Sequence, residues 1–128
     1  MSTPEATVND LLAGKSPNIV STHPTERVRD VISTMKCLGI SQLPVIEDGK
    51  LRGLVSEVDV LRHLIGGAGP EGTIASLVER DFATVTRDTA ITHVTDLLRD
   101  ARVAVVVEGD TVVGLVTRID LIDFLART

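Results

Sequence analysis

A chain of 128 residues has room for one ordinary domain, or for two half-domains that share a core. Hydrophobic residues make up 43% and charged residues 24%, and the formal net charge is -5. This is a globular composition, and it excludes a nucleic-acid module held by phosphate attraction. Aromatic content is only 2%, Phe82 and Phe124 alone. Stacking platforms for bases or sugars are therefore all but excluded, and the core must be aliphatic.

Residues 1–6 read as a loose, polar tail without the apolar core of a signal peptide. Val8–Leu12 reads as a short helical lead-in. Ile19–Ser21 is a short strand. Thr25–Leu38 places Val28, Val31, Ile32, Met35 and Leu38 at helical spacing, with Thr25 as N-cap and Gly39 as the stop. Leu43–Ile46 and Leu51–Val55 form a hairpin around Asp48-Gly49, followed by a helix at Glu57–Ile65. Gly66–Gly72, GGAGPEG, reads as a flexible join; no Lys-Ser/Thr follows it, so it is not a phosphate-binding loop. The same order then returns: a lead-in near 74–78, a strand at Ala83–Thr86, a helix at Thr89–Ala101 capped by Thr89, a hairpin of Val103–Val107 and Val112–Val116, and a helix at Arg118–Ala126. No apolar run approaches the roughly 18–20 residues that span a bilayer. A single cysteine, Cys37, allows no internal disulfide or multi-cysteine metal site and reads as a small buried thiol. The expected location is the cytoplasm, with neither a membrane nor nucleic acid as main partner.

The recurrence is literal. Leu43–Leu64 aligns without gaps on Ala104–Leu125, and seven positions are identical, among them Gly53/Gly114, Leu54/Leu115, Val55/Val116 and Asp59/Asp120. Three repeated features go beyond core packing. Gly53 and Gly114 interrupt strands, which signals a bulge or a close backbone approach. Ser56 and Thr117 put a hydroxyl where strand meets helix. Asp59 and Asp120 follow three residues later. The last two features fit two roles that are compatible: an N-terminal capping box, and a ligand contact at a helix N-terminus, where an Asp can accept both hydroxyls of a ribose. His23, His63 and His93 have no metal-ligand spacing, and Glu57 and Asp59 point apart on their helix. No catalytic constellation is present, so the reading is not an enzyme.

Gly53-Leu-Val-Ser-Glu-Val-Asp59 and Gly114-Leu-Val-Thr-Arg-Ile-Asp120, the first behind Leu43-Pro44-Val45, resemble the cystathionine β-synthase (CBS) domain. The resemblance runs from Val8 to Leu125 and implies a stand-alone tandem pair, a Bateman module. The expected fold is α+β: each repeat β-α-β-β-α with a short N-terminal helix, and two packed three-stranded sheets under pseudo-twofold symmetry. The expected domains are residues 7–65 and 73–127, with 66–72 as linker. The resemblance further implies a regulatory sensor that binds AMP, ADP, ATP or S-adenosylmethionine reversibly, needs no cofactor, and passes its state to an effector protein, commonly as a homodimer. One cleft would draw on Asn18, Ile19, Ile40, Ser41, Pro44, Thr117 and Asp120. The other would draw on Ser56, Asp59, Ala83, Thr84, Arg102 and Val103. Arg118 is a candidate phosphate contact or a solvated helix residue. The second repeat departs from the pattern: Ala104-Val105-Val106 replaces Leu-Pro-Val, and about two residues are missing between helix and strand. The alternative is a dimerisation or protein-interaction module with degenerate clefts.

Overall fold

The computed structural model describes residues 5–15 and 19–127. Its elements are α1 (Val8–Leu12), α2 (Val28–Leu38), β1 (Gln42–Glu47), β2 (Lys50–Ser56), α3 (Glu57–Ile65), a 3-10 turn at Ile74–Leu77, β3 (Ala83–Val85), α4 (Ile91–Leu97), β4 (Val103–Glu108), β5 (Thr111–Thr117) and α5 (Arg118–Arg127). The architecture is mixed α+β, as the sequence suggests. The chain divides into two compact units: a central unit of residues 20–81, and a split unit of residues 1–19 with 82–128.

Each unit has its own aliphatic core. In the central unit α2, β1, β2, α3 and the 3-10 turn bury Val28, Val31, Met35, Leu43, Val45, Val55, Val60 and Ile74 together. In the split unit α1 joins β3, α4, β4, β5 and α5 around Val8, Leu11, Ile91, Val94, Val106 and Val116. Each fully buried side chain of this kind contributes about 1.5–3 kcal/mol. The lead-in of each repeat thus packs in the unit built mainly from the other repeat. Backbone bonds fasten both exchanges in the same way. Ile74 N–H donates to Glu26 O and Val28 N–H to Gly72 O, each at 2.9 Å; Val8 N–H donates to Thr89 O at 2.9 Å and Ile91 N–H to Ala6 O at 3.0 Å.

These bonds correct the predicted helix starts. The N-caps are Arg27 and Ala90, without side-chain caps, rather than Thr25 and Thr89. The exchanged lead-ins already occupy first-turn N–H groups, so a Thr cap has less to satisfy. Thr25 bonds His23 Nδ1 instead, and Thr89 Oγ1 accepts from Thr86 N–H. The Gly-rich segment contributes too: Arg29 N–H donates to Pro70 O at 2.9 Å. Gly39 ends α2 in the left-handed region at φ 64°, as expected. Cys37 is exposed, not buried, on the outer side of the last turn of α2.

The sheets differ between units. The split unit has three strands in the order β3-β4-β5, with β3 parallel to β4. The central unit has only the β1-β2 pair, so the expectation of two three-stranded sheets is corrected, and Ile19–Ser21 forms no strand. One parallel bridge, Thr22 with Val45, stands in its place. Thr22 N–H donates to Pro44 O at 2.9 Å, and Ile46 N–H donates to Thr22 O at 2.8 Å. The next rung toward Val20 would need an N–H from Pro44, which proline lacks. At the matching position β4 has Val105, and there the parallel ladder runs on through Ala83, Thr84 and Val85.

Candidate functional site

Both strand glycines mark close approaches. A Cβ on Gly53 would lie 2.4 Å from Glu79 O and 2.5 Å from a Val78 methyl. The approach is fixed by paired bonds between Leu54 and Glu79, at 2.9 and 2.7 Å. A Cβ on Gly114 would lie 2.8 Å from Leu12 Cδ2. Each glycine sits beside a register shift in its hairpin, at Val45/Ile46 and Val106/Val107. The lead-ins are therefore pressed onto the strands that end in the Ser56 and Thr117 junctions.

At the first junction the capping box is complete. Ser56, 8% exposed, donates its hydroxyl to Asp59 Oδ2 at 2.8 Å, and Ser56 N–H reaches the same oxygen at 3.2 Å. Asp59 N–H returns a bond to Ser56 Oγ at 3.2 Å. At the second junction Thr117 N–H and hydroxyl donate to Asp120 Oδ2 at 2.9 and 3.0 Å, and Asp120 N–H donates to Thr117 Oγ1 at 3.4 Å. The capping role is realised at both.

The second junction carries one partner that sequence reasoning missed. Lys15 Nζ lies 2.8 Å from Asp120 Oδ2 and donates to Leu115 O at 2.7 Å. Among the described residues, all partners of the Asp120 carboxylate fall on Oδ2. Burial pushes this carboxyl up, but the Lys15 hydrogen bond, the Thr117 N–H, the Lys15 charge and the Thr117 hydroxyl outweigh it and hold it below its ordinary value. No cation among the described residues pairs with Asp59. The sequence signal for Lys15 is slight: it is a lone Lys behind the α1 lead-in, 105 positions from its partner.

The remaining predicted residues are placed as follows. Asn18 lies outside the described residues. Ile19, half-buried, belongs to the split unit but to no strand. Ile40 and Ser41 follow α2, and Ser41 O accepts from Glu57 N–H at 3.0 Å, which puts Ser41 beside the Ser56 junction of its own repeat. Pro44 is buried in β1. In the split unit Val103 faces Thr117 across the β4-β5 ladder, while Ala83 and Thr84 flank Ala104 and Val105. Arg102 is exposed just before β4. Arg118 is neither free in solvent nor turned to the Asp120 carboxylate: Nε donates to Leu98 O at 2.8 Å and a terminal nitrogen to Ala101 O at 3.3 Å. The shortening of the second repeat falls here, since α4 has 7 residues where α2 has 11.

Two hollows accompany these junctions. A groove of about 520 Å³ in the central unit is lined by Ile32, Met35, Ile40, Val60, Leu61 and Leu64, among others. A smaller one of about 170 Å³ in the split unit is lined by Lys15, Asp120, Asp123, Phe124 and Arg127, with parts of α1. No group of three or more His, Cys, Asp or Glu suited to a metal occurs among the described residues. No described helix is long and apolar enough to cross a membrane.

Two repeats that each carry a Gly-x-x-[Ser/Thr]-x-x-Asp strand-to-helix junction, on small sheets with exchanged lead-ins, define a tandem module. The CBS domain family model matches residues 8–66 and 74–127, so the chain belongs to the CBS domain family. The CBS domain protein NE2398 superposes with a TM-score of 0.89 at 24% identity, covering 96% of this chain and 99% of that one. The CBS domain pair of MJ0100, solved with 5'-methylthioadenosine and S-adenosyl-L-methionine, gives 0.84 at 23% identity, covering 97% and 98%. CBSX2, solved with AMP, gives 0.78 at 23% identity, covering 94% and 96%. These structures establish the CBS-pair fold. The chain spans between 12% and 28% of the length of the curated relatives it matches.

Proposed function

We propose that this protein is a regulatory module that reversibly binds an adenosine-containing ligand at the Thr117/Asp120 junction, and that it has no catalytic activity of its own. The carrying observation is the preformed, ionised Asp120 carboxylate at the start of α5, whose partners among the described residues all fall on Oδ2, so that Oδ1 can take a ribose diol. CBS pairs of the same fold solved with AMP or with S-adenosyl-L-methionine support the ligand class. Binding would act by differential affinity for two arrangements of the module and so bias a partner. For that partner, the exposed apolar residues Leu61, Leu64 and Ile65 on α3, and Ile119 and Ile122 on α5, supply surface for a homodimer or an effector protein. Calorimetric titration with AMP, ATP and S-adenosylmethionine should show micromolar binding that weakens by about tenfold or more in Asp120→Ala. Binding indifferent to Asp120, or none below about 1 mM, overturns the reading.

One observation favours a second reading. Both boxes are fully used as helix caps, so the junctions need no ligand to explain them. Silence toward all adenine compounds in a thermal-shift screen, with a stable dimer in light scattering, would establish an interaction module with degenerate clefts.

A further inference from the structure

The Asp120 carboxylate is crowded on one side. Its Oδ2 accepts from three donors: Lys15 Nζ at 2.8 Å, the Thr117 N–H at 2.9 Å and the Thr117 hydroxyl at 3.0 Å. A carboxylate offers about four lone-pair sites, hence about two on each oxygen, so Oδ2 is more than filled. Among the described residues, Asp59 Oδ2 accepts only the Ser56 N–H and hydroxyl. The third donor is what the second junction adds. Oδ1 of Asp120 admits a ribose diol as it stands. Holding one hydroxyl on each oxygen, the fuller arrangement, needs room on Oδ2, and Lys15 is the donor that can leave. The Thr117 donors belong to the strand-to-helix turn itself, whereas Lys15 reaches in on a flexible stem. The pair also borders solvent, with side-chain exposures of 34% for Lys15 and 23% for Asp120.

The surrounding hollow gives the ammonium somewhere to go. Two cations, Lys15 and Arg127, face three carboxylates, Asp10, Asp120 and Asp123, for a net charge of -1. Asp123 is paired with Arg127, and Asp10 accepts from the N–H and hydroxyl of Thr7. A Lys15 that leaves Asp120 therefore stays beside two further carboxylates, and its charge is not stranded. What it gives up is its bond to Leu115 O at 2.7 Å, which together with Asp120 fastens the end of the α1 lead-in to β5 and α5. A helix of 5 residues such as α1 depends on ties of this kind, because it is too short to hold by itself.

We infer that Lys15 is an autoinhibitory latch: it competes with a ribose for the Asp120 carboxylate, and a ligand that takes both oxygens expels it and loosens the end of α1. The inference rests on the function proposed above and adds how that site is held back and how its state leaves the junction. The uncharged nucleoside adenosine is the probe, titrated by calorimetry into the wild type, Lys15→Met, Lys15→Arg and Asp120→Ala. Hydrogen exchange is followed in parallel at the amides of Ala13, Gly14 and Lys15, which donate to the carbonyls of Asn9, Leu11 and Leu12. Lys15→Met keeps an apolar stem without the charge and should bind adenosine about fivefold more tightly than the wild type, whereas Lys15→Arg should gain nothing. Adenosine should speed exchange at the three amides of the wild type by about threefold, and should leave it unchanged in Lys15→Met, where the latch is already gone. A Lys15→Met variant that binds adenosine no more tightly than the wild type overturns the inference, since Lys15 would then support the site rather than compete for it. Adenosine that slows these amides in the wild type, or leaves them unchanged, overturns it even if Lys15→Met fails to fold. In either case binding that is lost in Asp120→Ala leaves the functional reading standing. Absence of adenosine and AMP binding to the wild type and to Lys15→Met alike overturns both.

Discussion

Ser56–Asp59 and Thr117–Asp120 are the same four-residue box at the same strand-to-helix junction, yet the two are held differently. The first closes on itself: its described side-chain bonds run between Ser56 and Asp59. The second is completed by Lys15, from a lead-in at the other end of the chain. Repetition has preserved the local chemistry, while the exchanged lead-ins have supplied different neighbours. A capping box alone is therefore weak evidence for a ligand site. What separates two equal boxes is the long-range partner that fixes the charge of the Asp.

The glycines allow the strongest test of this comparison. Gly53→Ala drives a methyl into the backbone carbonyl of Glu79, within a bridge bonded in both directions. Gly114→Ala meets only the end of the Leu12 side chain, which can rotate. Chemical denaturation should show a loss of about 3 kcal/mol for Gly53→Ala and about 1 kcal/mol for Gly114→Ala. Equal losses would mean that the two lead-ins are held with equal rigidity and would erase this contrast between the units.

The carboxylates give the next effect in size. Asp120→Asn keeps the side-chain shape but loses the ion pair and weakens the cap, at about 1–1.5 kcal/mol near neutral pH; the pair's share is small because Lys15 is a third exposed. Asp59→Asn weakens only a cap and should cost about 0.5 kcal/mol. The pH dependence separates them further. Asp120 has a lowered folded-state pKa, so its contribution is complete above the unfolded value of about 3.9 and disappears as pH falls through the folded one. The stability gap between wild type and Asp120→Asn should therefore hold from neutral pH down to about 4 and close below it. A gap that persists at pH 2 would show that the ion pair is not its source.

Much of this was legible in the chain itself, because it is local. The repeat, the hairpins, Gly39 and the two boxes depend on residues within a few positions of each other. The strand glycines announced a close approach, though not what approaches. Two features were illegible for reasons of distance. The helix starts of α2 and α4 are satisfied by backbone carbonyls of exchanged lead-ins, which no N-cap pattern encodes. Lys15 carries no periodic or motif signal and acquires meaning only when α1 packs beside α5. The exposure of Cys37, by contrast, is a local matter: Val28, Val31 and Met35 define the buried stripe of α2, and Cys37 lies off it. The loss of the first strand was readable in principle, since Pro44 stands in the expected parallel ladder and cannot donate.

That lost strand leads to a last, small effect of opposite sign. Thr22 pairs with Val45 as Val85 pairs with Val106, so Thr22 and Val85 hold equivalent places in the two sheets. Val85 is buried and apolar, whereas the Thr22 hydroxyl is buried with no partner among the described residues. An unpaired buried hydroxyl costs about 1–3 kcal/mol relative to one that is satisfied, and valine has nearly the shape of threonine. Thr22→Val should therefore stabilise the protein by about 0.5–1 kcal/mol, seen as a higher denaturation midpoint at unchanged slope. Removing a polar group is stabilising only where nothing bonds it. A destabilised Thr22→Val would show that the hydroxyl finds a water or a ligand in solution, and that the central unit keeps at this rung a polar contact which the split unit has replaced by packing.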